Sequence, residues 1–161
     1  MAQLREWLAA PPPTRDGRPD PAAIRWRLEL ARHHWRLGEL DDCLRLAREV
    51  LAIVPPDDQR DLAFALDLIA DVLYVQGEFD EAIQLFQRVD RQSEYYVKAR
   101  FFEGIAHVRN RRAQPAITAF RAITEAIEEG VTGVEDVQRM RDLAWLSLAR
   151  VYYTAANRTN P

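Results

Sequence analysis

The stretch Gly77–Val89, GEFDEAIQLFQRV, places Phe79, Ala82, Ile83, Phe86 and Val89 at fixed offsets behind a leading glycine. The same offsets recur in GELDDCLRLAREV, as Gly38, Leu40, Cys43, Leu44, Ala47 and Val50. They recur again as Ala113, Ala116, Ile117, Phe120 and Ile123. The units lie 39 positions apart from Cys43 to Ala82 and 34 apart from Ala82 to Ala116, which is the size of a helix pair rather than of a domain. Such a unit cannot bury its apolar face alone, so each is read as one element stacked on the next.

The half-unit ahead of each register is periodic too. Leu66, Ile69, Ala70 and Leu73 stand at i, i+3, i+4 and i+7, one stripe of a helix. GEFDEA then turns the chain into a second stripe. Gly77 tolerates a left-handed helix end, while Asp80 and Glu81 favour the positive start of the helix that follows. The first unit repeats this turn as GELDDC. Near the end of the sequence, Trp145, Leu148, Ala149 and Tyr152 give the first-helix pattern once more.

With these residues in register, the sequence resembles the tetratricopeptide repeat family. That family carries a large residue at position 4, an apolar one at 7, a small one at 8 and an aromatic at 11, then glycine, an aromatic, alanine at 20, an aromatic at 24 and often proline at 32. Setting position 1 at Ile24, Ala63, Val97 and Asp142 extends the resemblance over residues 24 to 156. Ala70, Gly77, Phe79, Ala82 and Phe86 all match in the second unit. The first unit fits at Ala31, Gly38 and Pro55 but carries Arg27 at position 4 and His34 at position 11. The third fits at Gly104, Ala116 and Phe120, with Arg111 where the turn glycine belongs and Glu103 where an apolar residue belongs. The fold this implies is all-α: a right-handed α-α superhelix, a solenoid of three helix pairs plus a terminal helix.

Composition is consistent with that reading. A chain of 161 residues has room for a real core, burying roughly two-thirds of its unfolded surface. Hydrophobic residues at 48% and charged residues at 29% are ordinary for a globular protein. A net charge of −3 and a pI near 5.7 argue against a general affinity for nucleic acid. Lys98 is the sole lysine among 22 basic residues, a bias we attribute to a GC-rich, bacterial genome. One cysteine excludes an internal disulfide framework. MAQLREWLAA lacks the apolar run of a secretory signal, and no segment is long and apolar enough to span a membrane, so a cytoplasmic location is expected.

Residues 1–20 read as a short helix, with Leu4, Trp7 and Leu8 as an apolar corner capping the first helix pair, followed by a proline-rich linker. Thr14 to Pro19 is expected to be exposed linker. Asp20 before Pro21 marks the start of the array, 21–161. Its repeats are placed at about 24–57, 63–94 and 97–129, with a half-repeat over 133–157. Pro55 and Pro56 break the first unit. Gly130 to Gly133 breaks the chain after the third, and Thr132 with Glu135 has the form of a capping box for the last helix.

Catalytic chemistry finds no support. His34 and His107 occupy position 11 and are read as partly buried rings, and Cys43 as a small core residue. His33, His34 and Cys43 lack a fourth metal ligand, and adjacent helical histidines point about 100° apart. There is no nucleophile arrangement, phosphate loop or HExxH motif. We therefore assign no catalytic residue, no metal site and no cofactor. The cluster Arg109, Arg111, Arg112 is the best argument for a polyanion, and without interleaved aromatics it reads as a solvated turn.

The resemblance implies a protein-interaction module, a scaffold or adaptor, that binds a peptide or amphipathic helix of a partner in a groove lined by first helices at positions 2, 5, 6, 9, 12 and 13. From the first two units this selects Arg32, Trp35, Arg36, Phe64, Leu68, Asp71 and Tyr74. The third adds Lys98, Phe101, Phe102, Ile105 and Arg109, and the terminal helix adds Leu146, Arg150 and Tyr153. The expected surface is apolar with a basic edge. The alternative is that the phenylalanines pack on one another. Arrays that clamp acidic chaperone tails carry a Lys/Asn set at positions held here by Leu28, Arg32, Leu68, Lys98 and Phe102. Only Lys98 matches, which argues against that subtype. A second function is a structural homo-oligomerisation segment, with Trp145, Leu148, Ala149 and Tyr152 docking a terminal half-repeat on a longer array or on a second copy as a homodimer.

Overall fold

The computed structural model describes residues 14–15, 17–130 and 136–159. Seven described helices follow one another: α1 (Pro21–Leu37), α2 (Leu40–Ile53), α3 (Gln59–Gln76), α4 (Phe79–Gln87), α5 (Tyr96–Arg109), α6 (Ala113–Glu128) and α7 (Val137–Thr159). Ahead of them Thr14–Arg15 (β1) and Arg18–Pro19 (β2) form a two-residue antiparallel ladder, where the sequence predicts open linker. Gly17, at φ 76, lies between the two strands. The expected apolar corner at Leu4, Trp7 and Leu8 and the capping box at Thr132 and Glu135 lie outside the described residues. The fold is all-α in the helix-pair manner expected. The chain divides after Val72 into two compact units.

In the first unit Asp20 caps α1 by accepting from the Ala22 N–H at 2.9 Å, and Pro21 supplies the first helical turn. Cys43, Leu46, Ala47 and Val50 form the buried stripe of α2, which packs on the Ala23, Ile24, Leu28 and Ala31 face of α1. Full burial of each large aliphatic in such a stripe contributes about 1.5–3 kcal/mol. Burial, then the charge of Asp71, pushes the Cys43 thiol up to about 11, so it remains protonated and acts as a small apolar side chain. Asp58 accepts from the Asp61 N–H at the start of α3. Burial, followed by Asp58, raises the Asp61 carboxyl, against the pull of Arg25 at 3.8 Å.

In the second unit α5 packs on α4, α6 and α7, and α6 packs on α7. The core holds Val97, Ala116, Ile117, Phe120, Ile123, Ala126, Ala144, Leu148 and Val151. Glu103, where the repeat calls for an apolar side chain, is buried because polar partners meet it. Gln87 Nε2 donates to it at 2.8 Å, Arg100 Nη1 pairs with it at 2.8 Å, and His107 Nε2 lies 3.7 Å away. A carboxylate withdrawn from water is tolerable only with such partners.

The turns between paired helices explain the recurring glycine. At Gly38 and Gly77 the backbone is left-handed, φ 77 and 86. In each, the turn residue donates to the carbonyl three residues back and its successor donates to the one five back: Gly38 to Trp35 and Glu39 to His34, Gly77 to Tyr74 and Glu78 to Leu73. Arg111 donates to Val108 and Arg112 to His107 in the same pattern, and Arg111 sits at φ 58. The third turn therefore imposes the glycine conformation on an arginine, at a cost on the order of 1–2 kcal/mol.

Candidate functional site

The second unit contains a cleft of about 410 Å³. Ile105, Val108 and Arg109 reach it from the end of α5; Arg111 and Arg112 reach it from the turn. Ala113 and Phe120 belong to α6. Ser147, Arg150, Val151, Thr154 and Ala155 close it from α7. The cleft owes its place to helical spacing: Ser147, Arg150 and Thr154 stand at i, i+3 and i+7 on one face of α7, while Ala144, Leu148 and Val151 anchor the neighbouring face in the core.

Its chemistry is two-sided. Ile105, Val108, Ala113, Phe120 and Val151 make the lining largely apolar, and four guanidinium groups edge it. Arg112 is held by Asp80, its Nη1 donating at 2.7 Å, with Asn110 Nδ2 donating to the same oxygen at 3.0 Å. Arg109, Arg111 and Arg150 are exposed and make no side-chain ion pair among the described residues. Close behind the lining, burial lowers the His107 imidazole, with Glu103 opposing and Arg112 reinforcing. His107 Nδ1 makes no hydrogen bond there, and burial disfavours the charged form of the ring.

Of the groove residues predicted from sequence, Ile105, Arg109 and Arg150 come together in this cleft. Val108, Ser147 and Thr154, which the groove positions 12, 6 and 13 also select from the sequence, line it with them. Others lie elsewhere. Phe64, Leu68 and Asp71 are 7%, 3% and 7% exposed, which corrects the expectation that they face open surface. The reason is that α3 is buried along nearly all of Ala63–Leu73, so positions 2, 6 and 9 of this helix are covered as well as its core stripe. Arg32 is half-buried, paired with Glu29 and set 5.5 Å from the Phe64 ring centroid. Trp35 is half-buried and Arg36 exposed.

The aromatic residues of the second unit pack on one another. Tyr74 meets Phe79 and Phe102, each at 5.5 Å between centroids, and Phe102 meets Phe101 at 5.7 Å. Phe101 in turn meets Phe120 at 6.0 Å, and Lys98 Nζ lies 5.8 Å from the Phe102 centroid. Phe101 therefore supports the core, where the sequence places it on a free surface. Leu146 and Tyr153 are exposed on α7 but outside the cleft lining. In the predicted self-association face, Trp145 and Tyr152 are 57% and 46% exposed and Ala149 is exposed. Leu148 is 3% exposed and belongs to the unit's own core, a correction that follows from its contact with α6. By sequence Arg111 and Arg112 read as a solvated turn. The signal that places them in the site is their adjacency to position 13, held by Arg109 at the end of a groove helix.

No helix is long and apolar enough to cross a membrane, and no group of three or more His, Cys, Asp or Glu side chains is placed to hold a metal ion, among the described residues.

Paired antiparallel helices in register, with an arginine-edged cleft between successive first helices, define a helical-repeat protein of the interaction type. The chain belongs to the tetratricopeptide repeat family, two of whose models match it, over residues 22–89 and 68–130. Solved structures share the fold. PcrH from Pseudomonas aeruginosa superposes with a TM-score of 0.68 at 12% identity, over 83% of this chain and 94% of that one. A TPR-like protein from Chlorobium tepidum gives 0.59 at 22% identity, over 80% and 93%. MamA gives 0.58 at 16% identity, over 88% and 84%. Among curated proteins, 67 residues are 39% identical to the RxLR effector protein SFI4 of Phytophthora infestans, a match that takes in 40% of this chain and 20% of that protein. The chain thus spans about a fifth of the length of that relative.

Proposed function

We propose that the protein is an interaction module that holds a peptide or amphipathic helix of a partner protein in the cleft formed by α5, the α5–α6 turn and α7. The observation that carries this is the cleft itself: an open volume of about 410 Å³ with an apolar lining and three exposed arginines that make no side-chain ion pair among the described residues. Apolar lining supplies the burial that drives association, and a few fixed charges orient the bound segment. The repeat fold supports the general role, since stacked helix pairs present side chains along a rigid framework.

The test is selection of peptides from a random displayed library, followed by measurement of the selected peptides against Ser147→Trp, which fills the cleft from a half-buried position on α7. Loss of binding in that variant, with helix content retained, supports the assignment. Selected peptides that bind parent and variant equally would contradict it.

A second reading, self-association through α7, is favoured by the exposure of Trp145 and Tyr152 on one helical face. Analytical ultracentrifugation across a concentration series decides it, because a species that remains monomeric throughout excludes the homodimer.

A further inference from the structure

Three turns share one hydrogen-bond pattern, and two of them use glycine for the left-handed residue. The third uses Arg111, at φ 58, and its exposed side chain lines the cleft. A glycine there would relieve the backbone, so the arginine is kept against its local conformational preference. Backbone held in a sparsely populated region is a mark of functional constraint when a side chain at that point serves a site.

Arg111 does not act alone. Arg109 and Arg150 stand on the same cleft, likewise without ion pairs among the described residues, whereas Arg112 is already bound to Asp80. The chain as a whole carries a net charge of −3, so this cluster is a local departure from the charge of the molecule. Its lining is largely apolar, and the one aromatic side chain in it among the described residues, Phe120, is fully buried and offers no face on which a base could stack.

We propose that the cleft selects an acidic, amphipathic protein segment, with Arg111 as the specificity-determining residue. This rests on the reading of the cleft as a partner site. Apolar side chains of the segment enter between Ile105, Val108 and Val151, and its carboxylates meet the guanidinium groups of Arg109, Arg111 and Arg150. Arginine suits the task because its planar fork donates two hydrogen bonds to one carboxylate.

The test uses a fluorescein-labelled peptide in which pairs of Glu and Asp alternate with Leu and Phe. A matched peptide with Gln and Asn at the acidic positions and a single-stranded oligothymidine are measured beside it. The acidic peptide is expected to bind the parent most tightly. Arg111→Gly should weaken it about tenfold, equivalent to about 1.4 kcal/mol. The same substitution should raise Tm by about 2 to 4 °C, because the strained turn is relieved. Arg150→Gln should weaken binding without raising Tm. Opposite movement of affinity and stability at Arg111 separates ligand recognition from a merely structural role.

Equal binding of the acidic and amide peptides, unchanged affinity in Arg111→Gly, tighter binding of the oligonucleotide, or no binding of the acidic peptide overturns the proposal. If the amide peptide binds as well as the acidic one and Ser147→Trp abolishes both, acidic selection fails while the partner cleft stands. Peptide binding indifferent to Ser147→Trp overturns both.

Discussion

Gly104→Ala tests the packing behind the cleft. A Cβ built on Gly104 would lie 2.5 Å from Phe120 Cε1, 2.7 Å from Cζ and 2.8 Å from Cδ1, all well inside van der Waals contact. Phe120 is fully buried and packs against Phe101, which restrains its ring. Overpacking a well-filled core costs about 1–3 kcal/mol. Against this, alanine gains about 0.8–1 kcal/mol over glycine in a helix interior. Three ring atoms stand in the way, so the upper part of the strain range applies and the net loss is about 2 kcal/mol. For a chain of this length that lowers Tm by about 4 to 8 °C. Circular dichroism at 222 nm follows the melt. Phe120→Leu in the same background removes the clashing ring atoms, so the double variant should be less destabilised than the sum of the two single changes. A Gly104→Ala melt at or above the parent temperature would refute the close approach of α5 and α6 at this point.

Other outcomes follow from the same contacts. Phe101→Ala should cost about 2 kcal/mol in urea unfolding, short of the ~3–5 kcal/mol of a fully buried phenylalanine, because its ring is half-buried against Phe102 and Phe120. The His107 imidazole is lowered by burial, so the folded state binds fewer protons than the unfolded chain as pH falls below the ordinary value of 6.5. Its contribution is therefore complete above that value and declines on acidification; urea midpoints at neutral and mildly acidic pH should differ less in His107→Gln than in the parent. Trp145→Gln with Tyr152→Gln should leave the melting temperature nearly unchanged and remove any concentration-dependent dimer, whereas Leu148→Gln should unfold the second unit.

The repeat was legible because its signals are local and redundant. Ala82, Ala116 and Cys43 sit at zero exposure, and Gly38 and Gly77 take the left-handed turn that their sequence context predicts. Asp20 and Pro21 likewise announce the start of α1. Glu103 was legible only as a departure: its partners Gln87 on α4 and Arg100 and His107 on α5 reveal how the charge is accommodated, and Gln87 lies 16 residues away in sequence.

The site was harder to read because a repeat position fixes a face of a helix and leaves open what covers it. Phe64 and Leu68 share positions with groove residues of other units yet are enclosed, since α3 is buried on most sides. Ile105, Arg109 and Arg150 share comparable positions and line an open cleft. Arg111 stands out in the sequence as a departure from the turn glycine and as a member of a basic cluster, whereas its left-handed backbone and its place on the cleft emerge only from the structure.

The most direct test of the partner-cleft assignment is hydrogen–deuterium exchange, read by mass spectrometry, with and without a saturating library-selected peptide. Binding should slow exchange in residues 105–113 and 147–155, which supply nearly all of the cleft lining, and leave α2 unchanged. Protection confined to the first unit, with those two segments exchanging as in the free protein, would contradict the account.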